Sequence, residues 1–279
     1  MTTRLRIDLA YDGSGFSGWA IQPDLPTVQA ELETAVARAL RLDGAAVRTV
    51  VAGRTDSGVH ATGQVCHVDV PAESVDAPED PGPQLLKRLR GALGKTSAIW
   101  ITGVEIAPPG FDARFSPLAR RYEYRIADAL STKDPRMSGS TLWIDDALHL
   151  ESMNQLGQAL LGLHDFASFC RAREGATTIR ELQEFLWIRD SESVLIARVR
   201  ADAFCHSMVR SLVGAAVAVG RGVLSVDEVV EARQARERTS LWKTLPAHGL
   251  TLCEVVYPDD HELASRAERT RALREPGSD

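Results

Sequence analysis

The feature that most constrains the fold is a pattern of predicted strands and helices that occurs in similar form in both halves of the chain. Runs of alternating polar and apolar residues indicate strands, and longer runs with apolar residues three or four positions apart indicate helices. The predicted strands cover residues 4–11, 47–52, 64–70, 99–106, 120–128, 182–189, 194–201 and 250–257, and the predicted helices cover 28–40, 84–93, 145–161 and 206–219.

Local signals support these elements. In the first strand, Leu5, Ile7 and Leu9 alternate with charged residues, which is the period of a half-buried strand. Thr27 precedes the first helix and has the side chain of an N-cap residue. The helix at 206–219 is apolar nearly all round, so we expect it to be buried.

Repeated strand–helix–strand units predict an α+β fold. We expect two ferredoxin-like (RRM-like) halves whose antiparallel sheets meet around a central active-site cleft. The N-terminal half would comprise residues 1–109 and the C-terminal half residues 110–258. Residues 259–279 are charged and are expected to form a flexible tail, and an acidic, Pro-rich linker lies at 71–83.

The charge of the chain is unevenly distributed. The formal net charge is −6 for 279 residues. The linker 71–83 carries four acidic residues and no basic one, and 254–279 carries seven acids against four arginines. Since these two segments account for −7, the remainder of the chain is close to neutral, and an anionic partner is permitted but not required.

Composition also bears on the cellular compartment. No apolar run approaches the roughly 20 residues that cross a bilayer, and "MTTRLRIDLA" has no signal-peptide core. We therefore expect a cytoplasmic protein with no membrane association. The four cysteines, which include no C-x-x-C pair, are expected to be reduced and buried.

A glycine motif near the amino terminus resembles a nucleotide-binding fingerprint. Gly13, Gly15 and Gly18 match G-x-G-x-x-G after a strand. In such sites the glycines open a helix directly, so that the helix N-terminus meets the pyrophosphate. Here the helix begins only near Thr27, so we interpret 13–18 as a turn and expect no nucleotide cofactor.

The stretch "VAGRTDSGVH", residues 51–60, holds a single carboxylate, Asp56, between glycines. One interpretation is structural: Asp56 caps a turn. A second makes Asp56, His60 and His67 metal ligands, although this spacing is not that of a common metal site. In the third, Asp56 is catalytic, and Arg54 on the same side of an extended segment keeps the carboxylate ionised.

Five blocks in order along the chain resemble the TruA family of tRNA pseudouridine synthases. The most specific is "AGRTDSGVHATGQV", which is similar to the family's G-R-T-D-x-G-V-H-x-x-x-Q motif. The others are "YDGSGFSGW", "FDARFSPLARRYEYRI", "LLGLHDFASF" and "DAFCHSMVRSLVG". The resemblance implies an isomerase that converts uridine to pseudouridine at positions 38, 39 and 40 of the tRNA anticodon stem-loop, with no cofactor and no metal.

The resemblance also implies roles for individual residues. Asp56 would be the catalytic carboxylate, with Arg54 as its ion-pair partner and Arg210 near it. Tyr122 would stack on the uracil of the flipped nucleotide. The family further implies a homodimer. Two rival hypotheses are an RNA-binding module without catalysis and a metal-dependent hydrolase.

An enzyme of this kind must also grip the RNA backbone, for which arginine is well suited. The arginines that we predict to contact tRNA are Arg114, Arg120, Arg121, Arg125, Arg171 and Arg173.

Overall fold

The computed structural model describes residues 1–43, 47–75, 82–171 and 177–271. In this part the strands are β1 (Thr2–Tyr11), β2 (Thr49–Val51), β3 (His60–Pro71), β4 (Ile99–Ile106), β5 (Ala119–Ala127), β6 (Leu142–Trp143), β7 (Gly162–Asp165), β8 (Ile179–Arg189), β9 (Leu195–Ala201) and β10 (Leu250–Val256). The helices are α1 (Val28–Leu40), α2 (Gly82–Leu93), α3 (Leu150–Ala159), α4 (Met208–Gly220), α5 (Val226–Gln234) and α6 (Leu263–Arg271).

The chain divides into two compact units. The first comprises Met1–Leu118 and the described residues from Leu252 onward, and the second comprises Ala119–Thr251. These units differ from the predicted ranges 1–109 and 110–258, because residues 110–118 and the greater part of β10 belong to the first unit.

The first unit contains strands in the order β4, β1, β3, β10. Strand β1 pairs antiparallel with β3 and β4, and β2 pairs antiparallel with β3. In the central pair, Leu5 of β1 lies opposite Val68 of β3, and Leu9 lies opposite Gln64. Alternate residues of β1 from Leu5 to Leu9 are 0–1% exposed. Burial of this apolar face stabilises the sheet and fixes its register, because a slip by one residue would turn the apolar side chains outward.

The second unit has strands in the order β5, β9, β8, β7, all antiparallel, while β6 runs parallel to β5. Helix α3 contacts β8 as well as α4 and α5. Most residues of α4 are buried, as its apolar composition predicts. The predicted α+β class with mainly antiparallel pairing is therefore confirmed.

Within the segment 259–279, which we expected to form a flexible tail, residues 260–271 form regular structure, and 272–279 lie outside the described residues. A short turn leads into α6, whose Leu263 and Ala267 are buried, and Arg271 pairs with Asp112 at 2.6 Å. Leu263 and Ala267 are four residues apart, so they share one face of the helix despite the charged composition.

Two further expectations concern the cysteines and the membrane. The sulfurs of Cys170 and Cys205 are in direct contact, and their Cα atoms are 5.9 Å apart, a separation at which a disulfide forms. The expectation that the cysteines are reduced is thus wrong for Cys170 and Cys205. In the described ranges we find no helix with the length and apolar character needed to cross a bilayer.

Candidate active site

The loop that carries Asp56 connects two strands that pair with each other. Thr49 and Val51 of β2 lie opposite Val68 and Cys66 of β3. The pairing is extended by a hydrogen bond from Ala52 N–H to the Val65 carbonyl at 2.9 Å. The N-terminal end of the segment 53–59 is thereby held by β3, and its C-terminal end leads into β3 at His60, beside the pairing of Ala61 with Tyr11 of β1.

The glycine-rich turn at 13–18 packs against this loop. The Trp19 N–H donates to the Thr55 carbonyl at 3.1 Å, and the Gly58 N–H donates to the Phe16 carbonyl at 3.3 Å. A Cβ on Gly13 would collide with the Val59 carbonyl. Gly18, with φ of 103°, lies in the left-handed region that favours glycine.

The prediction that 13–18 form a turn and do not open a nucleotide-binding helix is confirmed. Residues Gly13–Gly15 form a short 3₁₀ turn, and α1 begins at Val28 with Thr27 as its N-cap. The glycines are explained by their close approach to the Asp56 loop.

Buried polar side chains of β1 and β3 hydrogen-bond to the Asp56 loop and hold it in place. The sequence analysis did not predict these contacts. The Tyr11 hydroxyl lies 2.8 Å from Oγ1 of Thr55. Gln64 Nε2 donates to the Tyr11 hydroxyl at 3.2 Å and to the Gly53 carbonyl at 2.8 Å. Burial raises the pKa of Tyr11 to about 12, so its phenol stays neutral and keeps its hydrogen.

Asp56 and Arg54 lie in this loop with different exposure. Arg54 is exposed, whereas Asp56 is half-buried and its backbone carbonyl accepts from the Val59 N–H at 3.2 Å. The predicted ion pair between Arg54 and Asp56 stays a prediction.

The two histidines considered as metal ligands are both buried and hydrogen-bonded. Nδ1 of His60 accepts from the Gly13 N–H at 3.1 Å, and Nδ1 of His67 accepts from the Ala113 N–H at 3.0 Å. Burial, with a contribution from Arg4, lowers the pKa of His67 to about 4. Within residues 1–43, 47–75, 82–171 and 177–271, no group of three or more His, Cys, Asp or Glu side chains is arranged to hold a metal ion.

The other two predicted site residues belong to the second unit. Tyr122 of β5 is 8% exposed, and its ring packs edge-on against Phe204 with centroids 5.2 Å apart. Arg210 of α4 is half-buried, and its Nε donates to the Leu245 carbonyl at 2.7 Å.

The arginines predicted to contact RNA occupy dissimilar environments. Arg114 and Arg171 are exposed, as a phosphate contact requires. Arg121 and Arg125 are half-buried and pair with Glu123 and Asp190. Arg173 lies outside the described residues.

Arg120 does not fit the expectation of a surface contact. It is 8% exposed, and its Nη1 donates to the Asp202 carbonyl at 2.7 Å. The physical reason is strand alternation, which places Arg120 on the same inward face of β5 as Tyr122 and Tyr124.

Comparisons with known proteins agree with the motifs. A family profile described as tRNA pseudouridine synthase matches residues 157–258. The tRNA pseudouridine synthase A of Leifsonia xyli is 53% identical over 98% of both chains. The proteins of that name from Frankia casuarinae and Streptomyces griseus are 51% and 48% identical, covering 98% and 97% of this chain and 96% and 94% of theirs. The chain therefore belongs to the tRNA pseudouridine synthase A family, a family of isomerases.

Proposed function

We propose that this chain converts uridine to pseudouridine at positions 38, 39 and 40 of the tRNA anticodon stem-loop, with Asp56 as the catalytic carboxylate. The observation that carries the proposal is the geometry of the Asp56 loop. Backbone hydrogen bonds at both ends and the buried contacts of Thr55 hold a half-buried carboxylate in the one block that is most similar to the family's motif.

The reaction exchanges one glycosidic bond for another. The C1′–N1 bond of uridine breaks, the uracil turns, and a C1′–C5 bond forms, while the C5 hydrogen leaves as a proton and N1 gains one. No oxidation or reduction occurs, so no redox cofactor is needed. A fixed negative charge stabilises the positive charge that develops on the ribose, and a preorganised one needs no rearrangement during the reaction.

The target nucleotide must first leave the RNA helix, which costs a few kcal/mol. In this proposal Tyr122 stacks on the extruded uracil, Arg54 fills the space that the base vacates, and Arg210 assists the carboxylate. The edge-on packing of Tyr122 against Phe204 supports this role, because it fixes the plane of the phenol ring.

Recognition of the RNA would rest on shape and phosphates, since an A-form helix offers little sequence to read. Arg114 and Arg171 are the best candidates because they are exposed. We further propose that each unit is a ferredoxin-like half, and that the protein acts in the cytoplasm as a homodimer. Sheets of mainly antiparallel strands contacted by helices in each unit support the first point.

The test uses tRNA labelled with tritium at C5 of uridine. The wild-type protein should release tritium, and Asp56→Asn should release none while binding tRNA with a similar Kd. Asp24→Asn, which alters an exposed residue of another loop, is the matched control. Binding of tRNA by the wild type without tritium release would favour the RNA-binding module, and full activity of Asp56→Asn would overturn the role of Asp56.

A further inference from the structure

The buried chain of Tyr11, Gln64 and Thr55 joins three separate parts of the first unit. Tyr11 ends β1, Gln64 lies in β3, and Thr55 belongs to the Asp56 loop. Tyr11 is 4% exposed, Gln64 0% and Thr55 7%. Their hydrogen bonds are therefore made within the protein and not to solvent. Polar groups at such burial destabilise the protein unless every one finds a partner.

Gln64 uses all of its hydrogen-bonding groups in this chain. A glutamine amide nitrogen has two hydrogens. Those of Gln64 point to the Gly53 carbonyl and to the Tyr11 oxygen, and its Oε1 accepts from the Val65 N–H at 3.2 Å. The Tyr11 oxygen also lies 2.8 Å from Oγ1 of Thr55, and either hydroxyl can donate in this bond.

The two anchored residues, Gly53 and Thr55, lie directly before Asp56 in the chain. Gln64 holds the carbonyl of Gly53, and Tyr11 holds the side chain of Thr55, directly before Asp56. Thr55 is buried, whereas its neighbours Arg54 and Asp56 are exposed and half-buried. The hydrogen bond to the Thr55 side chain therefore fixes the chain directly between these two residues.

We propose that Tyr11 and Gln64 are positioning residues for Asp56: they act through Thr55 and Gly53 to hold the carboxylate in its productive orientation. The inference rests on the proposed function and extends it to two residues that do not touch the substrate. Stability alone does not require hydroxyl and amide groups at these positions. Apolar side chains of the same shape would give a core of similar stability, because replacing both partners of a buried hydrogen bond is nearly neutral.

The test measures kcat and KM for tritium release by Tyr11→Phe, Thr55→Val and the double variant. Tyr11→Phe and Thr55→Val each keep the shape of the side chain and remove one hydroxyl. We expect kcat to fall about 10- to 100-fold in each, because a shift of about 1 Å at a reacting group has this effect. KM should stay near the wild-type value, and the double variant should be no slower than the slower single variant, since both remove the same hydrogen bond.

Two controls separate positioning from loss of stability. Thr55→Ser keeps the hydroxyl and should retain most of the wild-type kcat. Tyr257→Phe removes another tyrosine hydroxyl of the first unit, which donates to the Ala113 carbonyl at 2.9 Å, and should leave kcat unchanged. Urea denaturation at the assay temperature must find all variants folded, and a fall in kcat matching the unfolded fraction would overturn the proposal.

The outcomes also separate this proposal from the proposed function. Wild-type kcat in Tyr11→Phe, together with an inactive Asp56→Asn, would overturn the positioning role alone. A wild-type protein that releases no tritium would overturn the proposed function itself.

Discussion

The backbone N–H of Gly13 donates to Nδ1 of His60 at 3.1 Å. This bond joins the turn after β1 to the first residue of β3, immediately after the Asp56 loop. Together with the contacts of Trp19 and Phe16, it makes residues 13–19 a support for the loop. The identity of residue 13 therefore affects the Asp56 loop directly.

Gly13→Ala should lower both stability and activity. The new Cβ would collide with the Val59 carbonyl, which is backbone and cannot move alone. Overpacking of this kind costs about 1–3 kcal/mol in the free energy of unfolding, and any relief would shift the loop. Urea denaturation and the kcat for tritium release measure the two effects.

Gly15→Ala is the matched control, because a Cβ on Gly15 of the same turn meets no atom within 4 Å. Equal losses in the two variants would show that the turn, and not its contact with Val59, determines the effect.

Asp128→Asn should destabilise the second unit by about 3 kcal/mol, because it leaves the Arg189 guanidinium half-buried without its counter-charge. Asp128 is 0% exposed and accepts two hydrogen bonds from Arg189, at 2.7 and 3.0 Å. Burial alone would raise the pKa of Asp128, but Arg189 and the backbone N–H groups of Leu148 and Leu130 lower it to about 2. Chemical denaturation measures the loss.

The sign of the pH dependence follows from the lowered pKa of Asp128. The unfolded chain takes up a proton near pH 3.8 and the folded one only near pH 2. The stabilisation is therefore complete above about pH 4 and is lost as pH falls from about 4 to 2.

Asp145→Asn, which removes a fully exposed partner of Lys133, should change stability by less than about 1 kcal/mol. A similar loss in both variants would contradict the prediction.

The regular elements were predictable from sequence where their periodicity is strong. The predicted bounds of β4 and α1 match the structure, because β4 alternates clearly and α1 has Thr27 to mark its start. Helix α5 was missed although Ser225 and Glu228 form a capping box, since its apolar face is weak and only Val229 is buried. Strand β7, with four residues, is too short to give a periodic signal.

The candidate site was predictable only in part. The motif around Asp56 lies in one continuous stretch, so the sequence identifies it. The support from Tyr11 and Gln64 depends on contacts across 44 and 53 residues, which exist only once β1 and β3 pair. The one available signal was an uncharged polar residue, Gln64, within an apolar strand.

His67 should remain neutral well below the pH at which an exposed histidine becomes charged. Burial and the charge of Arg4 lower its pKa to about 4, whereas the unfolded chain binds the proton near pH 6.5. The unfolded state therefore binds more protons between these values, and stability falls as pH drops from 6.5 to 4, by about 3 kcal/mol.

His67→Gln should remove this part of the pH dependence while leaving the rest of the stability curve in place. The chemical shifts of the His67 ring, followed by two-dimensional NMR over a series of pH values, give its pKa directly. A His67 ring that titrates near 6.5 would contradict the prediction.

Substitution of Arg120 should lower stability, whereas substitution of Arg114 should weaken tRNA binding, although the sequence suggested the same role for both. Arg120→Met should lower the free energy of unfolding by about 2 kcal/mol, because a charged donor to the Asp202 carbonyl is lost in a buried site. Its Kd for tRNA should stay near the wild-type value. Arg114→Met should lower the free energy of unfolding by no more than about 1 kcal/mol, since Arg114 is exposed and its guanidinium lies over the Phe115 ring, 4.9 Å from the centroid. It should weaken tRNA binding and reduce the slope of log K against log salt by about 1.

Titration of tRNA at several salt concentrations and urea denaturation of both variants measure these effects. Weaker tRNA binding by a fully stable Arg120→Met would show that the buried guanidinium becomes available to the RNA.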